Sequence, residues 1–80
     1  MAFIRVVEVD GEEYTEKMVR GFSFDQVKML ISFIDNEKDL NVIKVWYGNA
    51  IMSSYIDNLI SKVNNYNQIN LWIILNKRHA

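Results

Sequence analysis

The sequence predicts an α+β fold of order ββαβαβ, a four-stranded mixed sheet carrying two helices. Three observations lead there. Asp10-Gly11 lies between two β-rich runs, a strong short-range hairpin signal because both residues accept positive φ. Two stretches, opening near Ser23 and Asn49, repeat apolar residues every three to four positions, the period of an amphipathic helix. Two further runs, LNVIKVWY and INLWIIL, are dense in β-branched and aromatic residues.

Each element has a local reason. The first strand is read over Ala2–Val9 and its return over Glu13–Arg20, the most polar of the strands, with charges that suit an edge. Gly21 ends it. Ser23 then stands as an N-cap with Gln26 in capping-box spacing and Asp25 near the positive end of the helix. Phe22 and Val27 have the spacing of a hydrophobic staple. Phe24, Val27, Ile31 and Ile34 share one helical face with Leu30 beside them, and Met29 and Phe33 broaden the stripe. The polar run Asp35–Asp39 closes this helix. Leu40–Tyr47 is expected as the third strand, with Gly48-Asn49 as its exit. The second helix follows from about Ala50 to Asn64, its stripe formed by Met52, Ile56, Leu59, Val63 and Tyr66. Asn64–Gln68 reads as a loop, Ile69–Leu75 as the last strand and Asn76–Ala80 as a short basic tail.

Handedness constrains the sheet. The hairpin is antiparallel, and each strand–helix–strand unit should be a right-handed parallel crossover. A fourth strand that doubles back would put one helix on each face and make both faces core. Two short helices cover four strands best side by side, so the expected arrangement packs both on one face. Ile43 and Val45 then lie under the helices. Val42, Lys44 and Trp46 point away, joined by Trp72 and Ile74 and, from the first strand, by Phe3, Val7 and Val9. An apolar face with two tryptophans is too large to stay wet in a stable monomer. Val42, Lys44, Trp46, Trp72 and Ile74 are therefore the expected binding residues.

Composition bounds the function. Eighty residues, half of them hydrophobic, fit a single small domain over 1–80 and exclude a disordered chain. Without cysteine there is neither a disulfide framework nor a cysteine-ligated zinc site. No basic segment precedes an apolar one at the start, and no apolar run approaches 18 residues. A cytoplasmic protein with no membrane partner is expected. The net charge is −1, but residues 1–40 hold nine acids against five bases and residues 41–80 one against four. Much of the acid gathers in Glu8, Asp10, Glu12 and Glu13, with Glu16 close by. Such a run is either a solvated turn or an acidic patch that faces a basic partner.

The search for catalytic chemistry finds little. His79 is the single histidine and the penultimate residue, with no orienting partner in the pattern. Ser53 and Ser54 lack a credible base, and Asp57 pairs with Lys62 at most. Asp10, Glu12 and Glu13 do not make an EF-hand series, and glycines 11, 21 and 48 are too dispersed for a phosphate loop. No enzyme, metal or cofactor is expected. The rival class is a single-stranded nucleic-acid module in which Trp46 and Trp72 stack bases beside Lys44, Lys77 and Arg78. The acidic net charge, the element order and the missing aromatic-basic signature of an RNA-recognition motif count against it. The expectation is a non-enzymatic protein-interaction domain, as a homodimer or with a different protein. Nine asparagines and ten isoleucines suggest AT-rich coding, which fits a small accessory or inhibitor protein of a phage or mobile element.

Overall fold

Asp10 and Gly11 both take positive φ, 52° and 81°, the backbone of a tight two-residue turn whose twist matches its strands. They join β1 (Val6–Val9) to β2 (Glu12–Thr15) as an antiparallel pair. Val9 lies opposite Glu12, Glu8 opposite Glu13 and Val7 opposite Tyr14. Strand alternation then separates two faces. Val7, Val9, Glu12 and Tyr14 share one, and Val6, Glu8 and Glu13 share the other. A computed structural model describes the backbone of residues 4–78 and the side chains of residues 4–64. The fold it shows is a small, mostly helical α+β arrangement, and this hairpin is the whole of its sheet.

The return strand is shorter than expected. It stops at Thr15, whose hydroxyl accepts from the Met18 amide and caps α1 (Glu16–Arg20). One helical turn is enough to bury Val19 completely, and the Glu16–Arg20 ion pair spans it at 2.9 Å. The next helix, α2 (Phe24–Ser32), forms where the sequence places it. Its capping box is complete: Gln26 N–H donates to the Ser23 hydroxyl at 3.1 Å, and Ser23 N–H donates to the Gln26 side chain at 2.7 Å. Val27, Leu30 and Ile31 are its buried face.

The predicted four-stranded mixed sheet with two helices is not what forms. The third strand, Leu40–Tyr47, lies within α3 (Glu37–Tyr47). Val42, Ile43 and Val45 favour strands, but β propensity is weak against burial and caps. Both caps are present. The Asn36 side chain accepts from the Asp39 amide at 2.8 Å, and Gly48 closes the helix at φ 61°, its N–H donating to Lys44. The polar run that looked like a helix end is thus a helix beginning. Helical spacing gathers Leu40, Ile43 and Trp46 on one buried face.

The last loop and strand are also helical. Asn49 accepts from the Met52 amide at 2.9 Å, and α4 then runs unbroken over Ala50–Arg78. It includes the Asn-rich segment and the run INLWIIL. No glycine or proline interrupts these 29 residues, and asparagine costs only a few tenths of a kcal/mol per position. The helix is about 43 Å long, against a long molecular axis of 53 Å.

The core lies between the hairpin's inner face and the helices. Val7 and Val9 meet Val19, Val27, Ile31, Leu40, Ile43, Met52 and Ile56 in one cluster. Helix α3 packs against both α1 and α4. Arg20 Nε donates to the Trp46 carbonyl at 3.1 Å, placing a guanidinium on one of the free carbonyls that end α3. Lys44 reaches Asp57 at 2.9 Å, and Lys28 lies 5.1 Å over the Tyr55 ring, tying α4 to α3 and to α2.

Two stability predictions follow from the backbone. Gly48→Ala should cost about 1 kcal/mol in urea unfolding, because alanine resists positive φ. Gly21→Ala should stay within about 0.5 kcal/mol, since its φ is −84° and an added Cβ meets nothing closer than 3.5 Å. Glu13→Lys should raise stability by about 0.2–1 kcal/mol at low salt by turning the Glu8–Glu13 pair into an attractive one. That gain should shrink at high salt.

Candidate functional site

Every buried residue among those described is apolar, so polar chemistry has to be sought on the surface. The clearest concavity is a groove of about 370 Å³ between the hairpin's inner face and α2. Its floor is Val9, Leu30, Tyr14 and Phe22, with the two rings edge to face at 6.1 Å and 77°. Met29 in the last turn of α2 and Phe33 at its C-cap form the wall and are 68% and 60% exposed. Asp10, Glu12 and Gln26 complete the lining. Beside this floor Met29 and Phe33 extend it into one apolar patch, the kind of surface that marks an interaction site.

The rim is electronegative. Tyr14 donates its hydroxyl to Glu12 at 3.2 Å. Its pKa is pushed above the usual phenol value, first by desolvation and then by the charges of Glu12 and Asp10. Tyr14 therefore stays protonated at neutral pH and acts as a hydrogen-bond donor, not a nucleophile.

The four acidic residues singled out in the sequence do not make one patch. Asp10 and Glu12 line the groove, while Glu8 and Glu13 sit on the opposite face of the hairpin and point to solvent. The hairpin was legible, but the split depends on register. Sequence reasoning assigned Met29 and Phe33 to the core stripe of α2 and so missed the wall. The signal was present: Val27, Leu30, Ile31 and Ile34 already complete a core-facing arc, and two more apolar positions make it wider than burial needs.

The expected sheet face disappears with the sheet. Trp46 is 8% exposed and belongs to the core, whereas Val45, expected to be buried, is 71% exposed. Lys44 turns to Asp57, which had been matched with Lys62. Val42 and Trp46 do line one concavity together, a second groove of about 400 Å³ shared with Arg5, Lys38, Asn41 and Val45. Trp72 and Ile74 fall within α4, and their side chains lie outside the described residues, as do Phe3 and His79. Ser53 and Ser54 occupy the first turn of α4, where Ser53 N–H bonds to the Asn49 carbonyl.

Among the described residues, no helix is long and apolar enough to cross a membrane. None of their acidic or histidine side chains gather in a group of three that could hold a metal ion. No protein-family model, curated protein or solved structure matches the chain.

Proposed function

We propose that the chain is a non-enzymatic protein-binding domain that takes a segment of another protein into the groove between the hairpin and α2. The observation that carries this reading is the exposure of Met29 and Phe33 over an apolar floor. Burying two such side chains contributes about 1.5–3 kcal/mol each, which makes them suitable anchors at the centre of an interface. Methionine is adaptable enough to fit an irregular partner surface. The groove's titratable groups are two carboxylates and a protonated tyrosine, a set that can orient a ligand but supplies no activated nucleophile. Partner binding also suits a chain of 80 residues, whose own core is small.

The nucleic-acid reading draws no support from Trp46. Trp46 is 8% exposed and packed in the core, whereas a stacking platform presents its rings to solvent.

Photo-crosslinking at position 33 in the cells that make the protein tests the proposal. A crosslinker there should give a discrete protein adduct, and one at the exposed Asn58 should not. The crosslinked protein, once purified, should bind the isolated chain. Met29→Glu with Phe33→Glu should weaken that binding by about tenfold or more while leaving stability within about 0.5 kcal/mol. A partner that binds the double variant equally well, or no adduct at position 33, would refute the proposal.

A further inference from the structure

We infer that the occupant of this groove is an amphipathic helix whose apolar face is flanked by lysine or arginine. The inference rests on the binding reading of the same groove and adds the partner's chemistry.

Charge is the first argument. Asp10 and Glu12 stand on the rim, and neither takes part in an ion pair among the described residues. Among the described residues, no lysine, arginine or histidine lines the groove. Glu12 is held at the groove by the Tyr14 hydroxyl, which donates to it at 3.2 Å. An apolar cleft with low-dielectric walls focuses such a field and favours cations at its mouth. Acidic groups beside the cleft would in turn repel an equally apolar but acidic segment, which gives selectivity as well as attraction.

Shape is the second. The lining comes from the inner face of the hairpin, through Val9, Glu12 and Tyr14, and not from a strand edge. Strand addition needs unpaired edge N–H and C=O groups, and a face of side chains does not supply them. The opposite wall is the C-terminal end of α2, with Met29 in its last turn and Phe33 at its C-cap. Side chains spaced by one turn on a second helix can interdigitate with that wall, as in helix-in-groove recognition.

A second copy of the chain is the competing occupant, since its other groove carries Arg5 and Lys38. The experiment separates the two. Full-length ¹⁵N-labelled protein is titrated with three helical peptides of identical leucine face, flanked by lysine, by glutamine or by glutamate. The lysine peptide should shift the amides of Glu12, Tyr14, Met29 and Phe33, and bind about threefold to tenfold tighter than the glutamate peptide. That preference should fade between about 50 mM and 0.5 M salt. Asp10→Asn with Glu12→Gln should remove most of it; asparagine still tolerates the turn, and glutamine still accepts from Tyr14.

Equal affinity for all three peptides at the groove would overturn the charge argument and leave the binding reading standing. Failure of all three to shift the groove would overturn both. Shifts confined to Glu8 and Glu13, or groove shifts that grow with protein concentration in the absence of peptide, would overturn the inference. The latter would assign the groove to a second copy.

Discussion

Leu40, Ile43 and Trp46 lie along one buried stripe of α3 and belong to the core that the hairpin and the other helices share. Helices α1 and α4 both pack against α3. The dependence is physical. A two-stranded hairpin is marginal alone in water, and a helix of five residues has no independent stability. Both persist because Val7, Val9 and Val19 join a core that α3 completes. Burial of a side chain such as Leu40 or Ile43 contributes about 1.5–3 kcal/mol, more than the strand preference of Val42 or Val45 can offset. The bond from Arg20 to the Trp46 carbonyl fixes where α1 meets the end of α3.

The parts legible in the sequence are those specified by neighbouring residues. Asp10-Gly11 requires positive φ and nothing distant, and the Ser23–Gln26 box closes within one turn. The misread parts depend on tertiary context. LNVIKVWY supports either element on composition, and only packing makes it a helix. Clues were nevertheless present: Asn36 with Asp39, Gly48, and the three-residue steps from Leu40 to Ile43 to Trp46. The same holds for the end of α4. The stripe through Met52, Ile56, Leu59, Val63 and Tyr66 continues in helical steps to Ile69 and Ile73, past asparagines that lower propensity without breaking a helix.

The candidate site follows the same division. Asp10 and Glu12 could be named from sequence because a turn exposes them, but the opposite placement of Glu8 and Glu13 is a matter of strand pairing. Met29 and Phe33 fall on the helical period of the core stripe, and only the excess width of that stripe marks them as open. The groove is thus built from the two locally specified elements, whose inner residues share the core cluster with α3. A binding surface there costs the core nothing, because its walls are residues the core does not need.

The account turns on residues 37–47 being a helix, and backbone chemical shifts measured on the full-length protein test that most directly. Helical Cα and Cβ shifts across this segment, with i to i+3 contacts linking Leu40 to Ile43 and Ile43 to Trp46, are the predicted result. Extended-type shifts over Leu40–Tyr47, with cross-strand contacts to β1, would contradict it.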